Sequence, residues 1–181
     1  LLLSTGASVF TYEPRGFGKS EGIPTIAHIC EDGLSAYDYL VNVLGYRAEQ
    51  IVIYGISLGT TVACHVSSLR SAKGLILQSG FASLPRIAHE KVAFLKIYPS
   101  WLFPHNPALN NVAILEQPHV PLLIMHGAMD SIIDIDHSRE MFARALAPKR
   151  WSAPRVRPRG LGYRFGFATR PRARAGGAQS R

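Results

Sequence analysis

The chain has 181 residues, 47% of them apolar, which gives room for about one domain with a real core. It contains no apolar run near the ~20 residues that would cross a bilayer as a helix. The formal charge of +8 is uneven: residues 1–150 carry 12 Lys and Arg against 12 Asp and Glu, while residues 151–181 carry eight Arg and no acid, so the basicity does not mark the folded part as a polyanion binder.

In chain order, Ala7-Ser8-Val9-Phe10-Thr11-Tyr12 is short, β-branched and aromatic, and predicts a buried strand stopping at Glu13-Pro14. A Gly-rich loop follows from Arg15 to Gly22. Ile29, Gly33, Ala36, Tyr37, Leu40 and Leu44 recur at helical spacing, predicting a helix over 26–44 with Gly45 at its C-terminus. Ile51-Val52-Ile53-Tyr54 reads as a strand, Gly55 to Gly59 as a sharp turn, and Thr60 to Leu69 as a helix of small residues. Residues 74–78 form the next strand.

Residues 79–118 read as an irregular, lid-like insert with Pro99, Pro104, Pro107 and Pro118. Its aromatics Phe81, Phe94, Tyr98, Trp101 and Phe103 either line a site for an apolar acyl or aromatic group or pack the insert onto the sheet. Residues 120–126 predict a strand and 135–147 a helix. This alternation predicts an α/β fold, a mainly parallel sheet with helices on both faces. The site of such a sheet lies at the carboxyl ends of the strands, where the loops after Tyr12, Tyr54, Gln78 and His126 converge.

The composition changes at Trp151, so the sequence divides into an α/β domain over 1–150 and an Arg/Pro/Gly-rich tail over 151–181. The tail has no periodicity and reads as disordered. Its abrupt start is what a shifted reading frame in a GC-rich gene produces; a linker, or a basic arm for nucleic acid or acidic membrane, are the lesser readings. The opening Leu1-Leu2-Leu3 carries no Met and no charged n-region and suggests a cut within a longer protein. Cys30 and Cys64 have no metal or disulfide spacing and read as reduced core residues, as in a cytoplasmic protein.

Gly55-Ile56-Ser57-Leu58-Gly59 fits G-x-S-x-G between a buried strand and a small-residue helix, the setting of a nucleophile elbow. Ser57 is the candidate nucleophile, and the Leu58 backbone N–H the candidate oxyanion donor. Side chains at Gly55 and Gly59 are expected to clash where helix and strand approach. Asp130 follows the strand ending His126-Gly127-Ala128-Met129 and is the candidate acid for orienting a histidine. Asp134 and Asp136 read as solvent-facing or helix-capping. Gly18-Lys19-Ser20 ends like a phosphate loop, but Glu13 occupies the position where that motif requires glycine. Arg15 reads as a structural donor to loop carbonyls.

The segments Tyr12 to Gly22, Gly55 to Gly59 and His126 to Asp130 together resemble the α/β-hydrolase superfamily, in particular its Bem46-like and serine-aminopeptidase-like serine hydrolases. The resemblance spans about residues 5–150. It implies hydrolysis of an ester, thioester or amide through an acyl-enzyme on Ser57, with Asp130 as triad acid, a small acyl substrate and no metal or organic cofactor. The oligomeric state is not legible.

Two family features are missing. The His-Gly loop that supplies a second oxyanion donor precedes the point where this chain begins. The family's histidine, which follows the acid, has no counterpart in residues 151–181. His137, seven residues after Asp130, is the remaining candidate base after the acid; His126 and His65 read as structural or surface residues, and His28, His89, His105 and His119 precede the acid, so that one of them would have to reach Ser57 through space. A catalytically inactive relative that binds a ligand or partner is the alternative function.

Overall fold

The computed structural model describes residues 6–91 and 109–153. Among the described residues nine α-helices and strands follow in order, with a 3₁₀ turn (Ala48–Gln50) between the first two: α1 (Ile26–Asn42), β1 (Val52–Ile56), α2 (Gly59–Leu69), β2 (Gly74–Gln78), α3 (Leu84–Lys91), α4 (Asn111–Leu115), β3 (Leu122–Met125), α5 (Ile135–Arg144) and β4 (Lys149–Ser152). The strands form one sheet in the order β1-β2-β3-β4, every neighbouring pair parallel. The register aligns Gly55, Leu77, Ile124 and Trp151 across the sheet, and Ile56, Gln78, Met125 and Ser152 on the final rung. All four strands therefore end at the same edge.

Alternation along the strands decides where the core sits. Leu75, Leu77, Leu122 and Ile124 point to one face and are at most 3% exposed, packed with Ala63 and Cys64 of α2, Val112 and Leu115 of α4, and Met141 of α5. Fully burying each large aliphatic side chain is worth about 1.5–3 kcal/mol. Tyr37 of α1 extends this layer through Val66 of α2. The opposite face carries Val52, Tyr54, Ile56, Ile76, Leu123 and Met125 and is half-buried to exposed. The second helical layer expected on that face is not among the described residues.

Local chemistry sets the element ends. Thr25 caps α1 by accepting from the His28 N–H (3.1 Å), and Asp134 caps α5 by accepting from the Asp136 N–H (2.9 Å). Asp134 is thus a cap, as expected. Cys30 and Cys64 are buried free thiols. Among the described residues no helix is long and apolar enough to cross a membrane.

Three expectations need correction. No strand forms over residues 7–12. That segment lies outside the four-stranded ladder, and Phe10 instead stacks on Tyr39 of α1 (6.1 Å between ring centroids). A β-branched, aromatic composition alone does not make a strand; the backbone needs a ladder partner. The start of the 79–118 insert is not irregular cover. Phe81 and Ala82 are 3% exposed, α3 follows them, and α4 joins the core at the far end. Phe81 is a packing residue. Phe94, Tyr98, Trp101, Phe103 and His105 lie outside the described residues.

The third correction moves the boundary at Trp151. Lys149 to Ser152 pair with Leu122 to Met125, so β4 runs through the composition break, and Trp151 packs on Phe142 of α5 (5.8 Å). Parallel pairing uses backbone groups and is indifferent to the Arg-rich sequence that follows. Residues 154–181, on which the tail readings rest, lie outside the described residues.

Candidate active site

Ser57 sits between β1 and α2 with φ +52°, the left-handed region that an L side chain occupies at a cost of about 1–2 kcal/mol. Its neighbours hold it there. The Ser57 N–H donates to the Gln78 carbonyl at the end of β2 (3.0 Å). The Ser57 carbonyl accepts from the Thr60 N–H (3.0 Å) and the Thr60 hydroxyl (2.6 Å).

Gly55 makes the turn feasible. A Cβ there would lie 2.4 Å from the Gly59 carbonyl oxygen, a backbone atom that cannot yield. The same is not true of Gly59, whose added Cβ would meet nothing within 4 Å. The expectation that both glycines are sterically required holds only for Gly55, because at the first turn of α2 the Gly59 side chain would project into open space. Leu58, 37% exposed, precedes the first residue of α2, so its N–H lies at the N-terminus of an 11-residue helix.

Asp130 lies in the turn after β3, where its own N–H donates to the Gly127 carbonyl (3.0 Å). Its Oδ1 accepts from the N–H groups of Ile132 (2.9 Å) and Ile133 (3.1 Å). Burial acts to raise the Asp130 pKa. The hydrogen bonds from Ile133, Ile132 and the Ser79 hydroxyl, with His126 nearby, outweigh it and hold the carboxyl below the usual carboxylate range. The carboxylate is thus kept ionised by donors fixed in the turn.

Ser57 and Asp130 share one sheet edge but follow β1 and β3, with β2 between them. At about 4.8 Å between strands, the two turns stand roughly 10 Å apart. Ser79 fills the intermediate position. It continues β2, its N–H donates to the Met125 carbonyl (2.9 Å), and its φ is +47°. Among the described residues Ser57 and Ser79 are the two non-glycine residues at positive φ. Sequence reasoning missed Ser79; its position directly after a predicted strand, on the edge where the site lies, was the available signal.

His126 and His137 each have both ring nitrogens engaged. His126 is 1% exposed, with Nδ1 bonded to the Ser138 hydroxyl (2.7 Å) and Nε2 to the Ile133 carbonyl (3.0 Å); Nε2 is 3.7 Å from Asp130 Oδ2. His137 is fully buried in α5. Its Nδ1 accepts from the Ala82 N–H (3.3 Å), which places the proton on Nε2 facing Glu90 Oε2 of α3 (2.7 Å). His137, the candidate base, links α5, the start of the insert and α3, with both ring nitrogens taken. Glu90 was not anticipated. Burial opposes its charge, but hydrogen bonds from Arg86 and His137 hold its carboxyl below the usual range.

Arg15 is structural, but its partner is a carboxylate rather than loop carbonyls. Its Nε and Nη2 donate to Asp32 Oδ1 of α1 (2.8 and 2.6 Å), and its backbone N–H to Asp32 Oδ2 (2.8 Å). This pair borders a shallow hollow of about 350 Å³ with Phe10, Tyr12 and Tyr39, none of which lies on the strand ends. Among the described residues no group of three or more His, Cys, Asp or Glu is placed to hold a metal ion.

Comparison with known proteins places this edge in context. No family model matches the chain. The α/β hydrolase domain-containing protein 17B of Homo sapiens is 29% identical over 141 residues, covering 78% of this chain and 46% of that protein. The uncharacterized protein YfhR of Escherichia coli K12 is 31% identical over 150 residues, covering 79% of this chain and 50% of that protein. The chain belongs to the α/β-hydrolase superfamily. Its α/β-hydrolase fold is seen in the solved esterase Pf2001 of Pyrococcus furiosus, with TM-score 0.60 and 20% identity over 77% of this chain and 58% of that one. The chain spans about half the length of the curated relatives it matches.

Proposed function

We propose that this α/β-hydrolase chain carries the nucleophile and the acid of a serine hydrolase acting on an ester, thioester or amide of a small acyl substrate. The observation that supports it is the left-handed backbone of Ser57 at a β1–α2 turn that only glycine at position 55 permits. In this reading the Ser57 oxygen attacks the carbonyl carbon and its proton passes to an imidazole. The carbonyl oxygen becomes an oxyanion held by the Leu58 N–H. Collapse expels the leaving group, and water then hydrolyses the acyl-enzyme. Asp130, kept ionised, orients the imidazole. His126 and His137 have both nitrogens engaged, so this reading calls for a different imidazole.

The engagement of both histidines supports a second reading, a catalytically inert relative that keeps the elbow as part of a ligand-binding surface. A fluorophosphonate probe separates the two. The hydrolase reading expects covalent labelling of the full chain, lost in Ser57→Ala. An intact, folded chain that takes up no label at any accessible pH assigns it to the inert class.

A further inference from the structure

The elbow is backed by a buried polar chain that the nucleophile reading leaves unused. Asn111, the first residue of α4, is fully buried, as is Thr60 in the first turn of α2. Asn111 Nδ2 donates to the Phe81 carbonyl (2.8 Å) and lies 3.3 Å from Thr60 Oγ1. The Phe81 oxygen can only accept, so the amide nitrogen must face it, and this fixes the orientation of the Asn111 side chain. Because the Thr60 oxygen then accepts from Asn111, its own proton is directed elsewhere, to the Ser57 carbonyl 2.6 Å away.

The Ser57 carbonyl and the Leu58 N–H are the two ends of one peptide unit. That unit is planar and rigid, so gripping its oxygen fixes the direction of its N–H. Hydrogen bonds in series also polarise one another, so a carbonyl that accepts two donors sharpens the N–H dipole at the far side. Asn111 Oδ1 is buried with no hydrogen-bond partner among the described residues. A buried amide retained with an orphaned acceptor is an unfavourable choice for packing alone.

We infer that Asn111 and Thr60 are positioning residues, a buried relay that aims the Leu58 N–H at the oxyanion by holding the Ser57–Leu58 peptide plane. The relay rests on the proposed hydrolase site and assigns a role to residues on α2 and α4 that do not touch substrate. It also ties the far end of the 79–118 insert to the nucleophile turn.

The test uses the full chain and three variants. Thr60→Val keeps the shape and removes the hydroxyl, Thr60→Ser restores it, and Asn111→Ala removes the outer member. The rate of fluorophosphonate labelling at Ser57 is expected to fall about tenfold or more in Thr60→Val, less in Asn111→Ala, and to return towards the parent rate in Thr60→Ser; losing one oxyanion donor outright costs about 10²–10³. The amide cross-peak of Leu58 in a ¹⁵N–¹H spectrum is expected to move in Thr60→Val and Asn111→Ala and to stay near its place in Thr60→Ser. Labelling of Thr60→Val at the parent rate overturns the relay. Should Thr60→Val not fold, Asn111→Ala takes its place, with an unchanged labelling rate overturning the relay. If the parent chain takes no label, the hydrolase reading fails and the Leu58 cross-peak alone judges the relay: displacement in the folded variants supports it, and an unmoved peak overturns it.

Discussion

After β1 a half-buried serine stands on a left-handed backbone at the carboxyl edge of the sheet. At the α3–α5 seam a fully buried histidine donates to a glutamate and accepts from a backbone N–H. Each region brings together residue types that a serine-hydrolase triad uses. The first has the proposed nucleophile and, two strands away, an ionised carboxylate; the second has a histidine–carboxylate pair with its protons fixed. Residue type is the same currency in both, but position differs. Parallel strands that end together gather their following loops on one edge, whereas His137 is drawn into the core by packing between helices. His137 directs both ring nitrogens to partners on neighbouring segments, Ala82 and Glu90.

That contrast can be broken at several points. Ser57→Ala is expected to abolish fluorophosphonate labelling altogether while leaving the urea unfolding midpoint close to that of the parent, because the strained site loses only a hydroxyl. Gly55→Ala is expected to destabilise by about 3 kcal/mol or more in chemical denaturation, since its Cβ would meet backbone at 2.4 Å. Gly59→Ala is the internal control and should lie within about 1 kcal/mol of neutral. Equal losses at both glycines would undo the steric account of the elbow.

His137→Gln should destabilise by about 1–3 kcal/mol, by unpairing the Ala82 N–H and the Glu90 carboxylate, without altering any labelling of Ser57. A selective loss of labelling at unchanged stability would return His137 to the role of base. The next effect is one of pH. The folded Asp130 pKa lies below its ordinary value of 3.8, so its ionised form contributes stability that is complete above about pH 4 and is lost as pH falls through the folded value. Asp130→Asn should flatten that acid limb in unfolding midpoints measured from pH 5 downwards. The smallest change is Arg15→Lys, which loses the two-donor grip on Asp32 at a partly exposed site and should move the urea unfolding midpoint least of these variants.

Much of the helix and strand pattern was legible because buried parallel strands are continuous apolar runs and amphipathic helices repeat at helical spacing. Ile51 onwards, Gly74–Gln78 and Val120 onwards became β1, β2 and β3, and the elbow fell where the motif put it. Residues 7–12 misled because a strand-like composition does not supply a pairing partner. Trp151 misled because composition changed before backbone pairing ended. Ser79, Thr60, Asn111 and Glu90 carried no motif. Their relevance arises from contacts between residues 3 to 55 positions apart, which no local pattern encodes.

By itself, then, the sequence determined the strand–turn–helix around Ser57, the placement of Asp130 after a later strand, and the lack of a histidine over 151–181. These are local matters of apolar periodicity, turn chemistry and residue type. Only the tertiary structure decided that Gly55 rather than Gly59 is sterically required, that His126 and His137 are fully engaged, and that a buried amide on α4 stands behind the nucleophile turn. Those depend on which atoms meet when distant segments pack, and close packing, unlike periodicity, is not written along the chain.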